Sequence, residues 1–74
     1  MPFWEMKGMR VFVNSKPREL TPGETVKALL AALGVEEKGV AVEVNAELVT
    51  RSEWPRFELK ANDRVEIVTF VGGG

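Results

Sequence analysis

The chain has 74 residues and contains neither cysteine nor histidine. Without cysteine it forms no disulfide, no thiolate zinc site and no cysteine nucleophile. Without histidine it lacks the one side chain whose unperturbed pKa lies near neutral pH. We therefore expect no metal site, and we expect any chemistry in which the protein takes part to be supplied largely by partners.

The sequence also lacks an excess of basic charge and a long apolar run. The 10 Lys and Arg are balanced by 11 Asp and Glu, whereas nucleic-acid binders usually carry a basic excess or stripe. No apolar run approaches the ~20 residues that a membrane helix needs. An acidic residue interrupts the N-terminal stretch, where a signal peptide is apolar. We expect a cytoplasmic protein that binds neither nucleic acid nor membranes.

A chain of this length holds one small domain. Such a domain buries only about 60% of the surface that its unfolded chain exposes, so nearly every apolar residue is needed for one core. A deep pocket for a small molecule is therefore not expected. We assign residues 1–8 to an N-terminal extension, residues 9–71 to the domain and residues 72–74 to a flexible tail of three glycines.

The clearest predicted element is a short helix that begins after Thr25. Its apolar face is formed by Val26, Leu29, Leu30 and Leu33. This spacing is typical of one side of an amphipathic helix. The Thr25 hydroxyl is a suitable N-cap, and Gly34 stands where a left-handed C-cap is favoured.

The strands are predicted from segments rich in β-branched and aromatic residues. These segments are residues 9–14, 18–20, 40–45, 48–49, 57–59 and 65–71. One helix following a hairpin, with further strands after it, fits an α+β domain in which the helix crosses one face of a mixed sheet. The alternation of side chains then predicts the core. It consists of Val11, Val13, Val42, Val44, Val65 and Ile67, packed on Leu29, Leu30 and Leu33.

This order of elements is that of the ubiquitin-like β-grasp fold, and the chain resembles the ThiS family, the sulfur carriers of thiamine biosynthesis. The resemblance extends over about residues 9–74. It rests on Val13-Asn14, Thr25-Val26, Leu29-Leu30, Val44-Asn45, Leu48-Val49, Arg51, Trp54, Asp63, residues 65–68 and the terminal glycines. The chain departs from the family at Asn62, where Gly is usual, and at Thr50, where Pro is common.

The resemblance implies a protein co-substrate rather than an enzyme, with its reactive group at the Gly74 carboxylate. A ThiF-type adenylating enzyme, using ATP and Mg²⁺, would activate that carboxylate. Sulfur from a cysteine desulfurase or another persulfide donor would convert it to a thiocarboxylate, and a ThiG-type thiazole synthase would receive the sulfur. Gly72 and Gly73 lack Cβ atoms, so the end is thin enough for a narrow channel. No cofactor is expected to be bound by the carrier itself.

A docking patch is predicted from Phe12, Val68 and Phe70, on the sheet face opposite the core. Their strands are neighbours in a β-grasp sheet, and exposed apolar patches often mark partner surfaces. Alternatively, Phe3 and Trp4 of the extension, or a second copy of the chain, cover this face.

Other functions stay open at this point. The small subunit of molybdopterin synthase has the same fold and terminal chemistry, although residues 69–71 replace its Pro-rich stretch. A carrier for tRNA thiolation or another sulfur pathway is a further alternative. A non-conjugating β-grasp interaction module would need no free glycine terminus, and the glycines would then be a disordered end. A stand-alone enzyme is not supported, because a nucleophile, a base and a pocket are all missing.

Four conspicuous residues are interpreted as structural. Trp54 is expected to pack at one end of the core, and Arg51 to lie on the surface or stabilise a turn. Asp63 and Glu66 are expected to be solvated, because two acidic residues without a pocket do not make an acid–base pair.

Overall fold

The computed structural model describes residues 8–70. Residues 1–7 of the predicted extension and the predicted tail, residues 72–74, lie outside this part. The elements are β1 Met9–Val13, β2 Lys16–Leu20, α1 Val26–Leu33, β3 Val40–Val44, β4 Glu47–Val49 and β5 Arg64–Thr69, with a 3₁₀ turn over Arg51–Glu53.

The strands form one mixed sheet in the order β2-β1-β5-β3-β4. The last strand in sequence, β5, is therefore central in space. It pairs in parallel with β1, Val13 lying opposite Val65, and antiparallel with all five residues of β3. This mixed sheet with a single helix confirms the predicted α+β architecture.

Both β-hairpins are closed by two-residue turns with positive φ. Asn14 and Ser15 have φ of 49° and 71°, and Asn45 and Ala46 have φ of 54° and 69°. Turns of this kind match the right-handed twist of paired strands, and asparagine tolerates their first position. The turns therefore fix the register of β1 on β2 and of β3 on β4.

The core lies between the inner sheet face and α1, as the alternation of side chains predicts. Of the predicted core residues, Val13, Ile67 and Leu33 are only partly buried, and the others are buried. Trp54 and Leu59 close the core at the start of the helix, both 2% exposed. The Trp54 indole Nε1 donates a hydrogen bond to the carbonyl oxygen of Val49, 3.0 Å away, so its single polar atom is satisfied within the core.

The N–H groups of the first three residues of α1, which have no acceptor in the helix backbone, all have partners. The Thr25 hydroxyl accepts from Ala28 N at 3.1 Å, which confirms the predicted N-cap. The carbonyls of Phe57 and Trp54 accept from Val26 N and Lys27 N. Gly34 ends the helix with φ of 72°, as predicted for a left-handed C-cap.

The prediction of a strand over residues 57–59 is wrong. This stretch makes only an isolated bridge, between Glu58 and Thr25. Its backbone instead serves the helix: Phe57 O accepts from Val26 N, and Leu59 N donates to Glu24 O at 2.9 Å. Alternation of apolar residues arises here because one side of the segment packs on the core, not because the segment joins the sheet.

Replacing Thr25 by Ala tests the importance of this helix start. We expect Thr25→Ala to lower the free energy of unfolding by about 1 kcal/mol, because Ala28 N loses its acceptor. Thr25→Ser, which keeps the hydroxyl, is the control and is expected to stay close to the original protein. Urea unfolding followed by circular dichroism measures both; equal stability of the two variants would contradict the assigned cap.

Candidate functional site

The candidate site is the end of β5, because this strand leads directly into the glycine tail. The predicted reactive residue, Gly74, and its neighbours Gly72 and Gly73 lie outside the described residues. What the structure describes is the strand from which the tail departs and the surfaces on either side of it.

The backbone of β5 is hydrogen-bonded alternately to its two neighbours. Even-numbered residues face β3: Arg64 O accepts from Asn45 N at 2.8 Å, and Phe70 N donates to Gly39 O at 2.7 Å. Odd-numbered residues face β1, where Val65 O accepts from Asn14 N at 2.8 Å. Because β1 ends at Val13, β5 continues beyond it with a backbone partner strand on the β3 side only.

The Asn14 side chain continues the hydrogen bonding to β5 beyond the end of β1. Its Oδ1 accepts from Ile67 N at 2.8 Å, and its Nδ2 donates to Ile67 O at 3.3 Å. One carboxamide thus satisfies both backbone groups of a β5 residue, as another residue of a partner strand would. It holds β5 two residues before the strand ends at Thr69.

The Asn45 side chain, on the opposite side of β5, makes hydrogen bonds at the start of this strand. Its Oδ1 accepts from Arg64 N at 3.0 Å, and its Nδ2 donates to Asp63 Oδ1 at 3.0 Å. The other oxygen of Asp63 accepts from Lys60 N at 2.8 Å. Asp63, expected to be merely solvated, therefore stabilises the turn that starts β5, in which Asn62 has φ of 70°.

Sequence reasoning placed Asn14 only at the end of a predicted strand and in the family resemblance, and so missed its contact with β5. The sequence did contain a signal for this contact, because both two-residue turns begin with asparagine. Glycine would also fit a turn residue with positive φ, but it has no carboxamide. Asparagine at both places therefore indicates that the side chain itself makes a contact.

The three residues of the predicted docking patch lie on the same outer face of the sheet, but not side by side. Val68 is 50% exposed and Phe70 is 60% exposed, whereas Phe12 is half-buried. Phe12 pairs with Arg64, so it lies about 13 Å from Val68 along the strand direction, at ~3.3 Å per residue. That a partner docks here stays a prediction.

A shallow cleft of ≈ 280 Å³ separates the two parts of this patch. Phe12, Ser15, Arg64 and Glu66 line it. Across the sheet from Glu66 lies Glu43, and beyond it Leu48 on β4, 64% exposed. The outer face therefore carries both apolar and charged side chains.

Two carboxyl groups have a shifted pKa, and both shifts have structural causes. The hydrogen bond from Lys27 Nζ, 2.8 Å long, is the main factor that lowers the pKa of Glu37. The Thr50 hydroxyl, 2.7 Å away, is the main factor that lowers the pKa of Glu53. Arg51 is exposed and lies 3.7 Å from Glu37, in line with its interpretation as a surface residue.

Neither shifted carboxyl group is a catalytic candidate, because each is explained by a surface ion pair or a cap. Residues 8–70 contain no cluster of three acidic residues that could hold a metal ion. In the same range no helix is long and apolar enough to span a membrane.

A helix-covered mixed sheet whose central last strand leads to a run of glycines defines the ubiquitin-like, β-grasp class of proteins. The crystal structure of the thiamine biosynthesis protein ThiS from Geobacter metallireducens is similar to this chain, with a TM-score of 0.77 and 36% sequence identity. The similarity covers 89% of this chain and 100% of that one. A model of the ThiS family matches residues 11–74. The chain belongs to the ThiS family.

Two further relatives agree with this assignment. The sulfur carrier protein ThiS of Thermus thermophilus is 44% identical over 64 residues, which are 86% of this chain and 98% of that protein. A thiazole synthase of Paramagnetospirillum magneticum is 41% identical over 66 residues, 89% of this chain. This chain spans about a fifth of the length of the thiazole synthases that it matches.

The relatives of similar length are named as a sulfur carrier protein and a thiamine biosynthesis protein. The family match includes all three terminal glycines.

Removing the Asn14 carboxamide tests how β5 is held. We expect Asn14→Gly, which tolerates the positive φ, to lose about 1–2 kcal/mol with its two hydrogen bonds. Asn14→Ala should lose roughly 1 kcal/mol more, because Cβ is unfavourable in the left-handed region. Amide hydrogen exchange measured by NMR should become faster at Ile67.

Asn45→Gly is the matched control for this experiment, since it removes the equivalent carboxamide from the other turn. It is expected to speed exchange at Arg64 and to leave Ile67 unchanged. Unchanged exchange at Ile67 in Asn14→Gly would show that the carboxamide does not hold the strand.

Proposed function

We propose that the Gly74 α-carboxylate is the sulfur-carrying group. A carboxylate is ionised at neutral pH and is a poor electrophile, so it needs activation. In the proposed sequence its oxygen attacks the α-phosphorus of ATP on a ThiF-type enzyme with Mg²⁺, giving an acyl-adenylate and pyrophosphate. The terminal sulfur of a persulfide, drawn from a cysteine desulfurase or another donor, then displaces AMP. A thiol cleaves the S–S bond, and the thiocarboxylate is released.

The observation that supports this proposal most strongly is the family match through all three glycines, which follow the central strand of the sheet. The chain has no cysteine or histidine, so no thiol or imidazole side chain competes as nucleophile. A central strand followed by residues without Cβ atoms suits delivery of a backbone carboxylate into a narrow channel of a larger enzyme.

Thiazole synthase is the sulfur acceptor that we propose. Two thiazole synthases each contain a stretch similar to this chain within a polypeptide about five times as long. Such relatives favour thiazole formation over molybdopterin synthesis or tRNA thiolation as the destination of the sulfur.

Incubation with the adenylating enzyme, ATP, a cysteine desulfurase and cysteine tests the chemistry. We expect the intact mass to change by the exchange of one oxygen for one sulfur, located at Gly74 by fragmentation. The change should be absent when Gly74 is deleted or when one residue is appended after it.

Circular dichroism provides the control for this experiment, because both altered tails are expected to leave the domain folded. Full thiocarboxylation of the appended chain would show that the terminal carboxylate is not the reactive group. No thiocarboxylate on the unaltered chain with a competent partner would refute the carrier chemistry.

We also propose that Phe12, Val68 and Phe70 contact the adenylating enzyme. Val68 and Phe70 are exposed and stand at the end of β5, next to the tail that this enzyme must receive. Aromatic side chains at such positions often dominate binding energy.

Phe70→Asp tests this docking face. We expect the dissociation constant for the adenylating enzyme, measured by calorimetry, to rise about tenfold or more, because a buried contact is replaced by a charge. Leu48→Asp is the matched control, since Leu48 is similarly exposed on the same face but two strands away. Equal effects of the two substitutions would argue against a specific role for Phe70.

A further inference from the structure

A groove of ≈ 490 Å³ lies on the other side of β5, between the β1–β2 hairpin and the end of α1. Its floor is apolar and is formed by Val13, Leu33, Val35 and Ile67. These four side chains pack against the core on one side but are only partly buried. The groove thus offers apolar surface that the described part of the chain leaves uncovered.

The rim of the groove is basic. Lys16 and Arg18 line it, and none of the lining residues carries a carboxylate. Neither cation takes part in an ion pair within residues 8–70. The Nε of Arg18 is buried and has no hydrogen-bond partner there. A buried donor without an acceptor is unfavourable, and a carboxylate is the acceptor that best matches a guanidinium group.

Backbone groups of β5 at the end of the groove also lack a partner strand among the described residues. Odd-numbered residues of β5 direct their N–H and C=O groups toward β1, and Asn14 takes those of Ile67. Thr69, the next odd residue, lines the groove beyond the end of β1. Its N–H and C=O therefore have no strand partner among the described residues and suit pairing with an extended segment.

The outer edge of β2 is less suited to pairing with an extended segment. In a hairpin with a two-residue turn, the pair Phe12–Pro17 is one that exchanges no backbone hydrogen bonds. The Pro17 nitrogen therefore faces the open edge, and it carries no hydrogen to donate. Proline at this place protects an edge from strand addition, so an extended partner finds its pairing groups at Thr69 instead.

We propose that this groove binds an extended segment of the thiazole synthase that carries an aspartate or glutamate next to an apolar residue. The apolar residue fills the floor, the carboxylate binds Arg18 and Lys16, and the backbone pairs with Thr69. The outer face with Val68 and Phe70 is assigned above to the adenylating enzyme, so the groove on the other face of the sheet is assigned to the protein that receives the sulfur. The choice of thiazole synthase as that protein rests on the function proposed above.

Charge reversal on the rim tests the proposal with the full chain. We expect Arg18→Glu to raise the dissociation constant for thiazole synthase about tenfold, since a charge-assisted contact becomes repulsive. Lys16→Glu, at an exposed position that does not affect the core, should weaken binding in the same direction. Lys60→Glu is the control, because it lies in the turn before β5 at the opposite end of the strand, and it should change affinity less than about twofold.

Melting curves establish that each variant is folded before binding is measured. Wild-type affinity in both rim variants would overturn the proposal. Thiocarboxylation of Arg18→Glu by the adenylating enzyme should proceed at the normal rate. A defect with that enzyme, combined with normal binding to thiazole synthase, would also overturn it. Failure of the unaltered chain to form a thiocarboxylate would instead refute the proposed function.

Cross-linking identifies the occupant directly. The chain contains no cysteine, so Thr69→Cys introduces a single thiol to which a photoreactive group can be attached. In the complex with thiazole synthase, we expect the cross-linked peptide to contain an acidic residue beside an apolar one. A cross-linked peptide without a carboxylate, or cross-links only between copies of this chain, would overturn the proposal.

Discussion

Hydrogen bonding on both sides of β5 is the constraint on which the rest of the structure depends. The strand is last in sequence and central in the sheet, between β1 and β3. Its inward Val65 is fully buried in the core, and its backbone is hydrogen-bonded to the β3 side of the sheet as far as Phe70. In the proposed function this strand leads to the reactive carboxylate, and a central strand is held more firmly than an edge strand because both of its edges are paired.

The two hairpin turns contribute more than a change of direction. Asn14 and Asn45 adopt positive φ, and each directs its carboxamide onto β5, one at Ile67 and the other at Arg64. Turn geometry and strand placement are therefore coupled through single side chains. The glycine that would satisfy each turn equally well would leave the β5 backbone groups without these partners, which is a physical reason for asparagine at both places.

The surfaces on the two sides of the end of β5 differ in chemistry, which agrees with the proposed binding of two different enzymes. The outer face exposes Val68 and Phe70 together with charges of both signs. The groove on the inner side combines an apolar floor with the two cations Lys16 and Arg18. Because both surfaces adjoin the end of β5, one small domain offers two chemically different surfaces beside the same strand.

Local patterns in the sequence determined the helix with its caps at Thr25 and Gly34, the apolar face of each strand and the order of elements, because these depend on interactions over a few residues. The same local rule failed for residues 57–59, whose alternation arises from packing and whose backbone caps the helix. The contact of Asn14 with Ile67, 53 residues away, the separation of Phe12 from Phe70 and the basic groove were decided only by the tertiary structure. Each of them depends on which distant strands become neighbours and in what register, and no periodicity within a single segment contains that information.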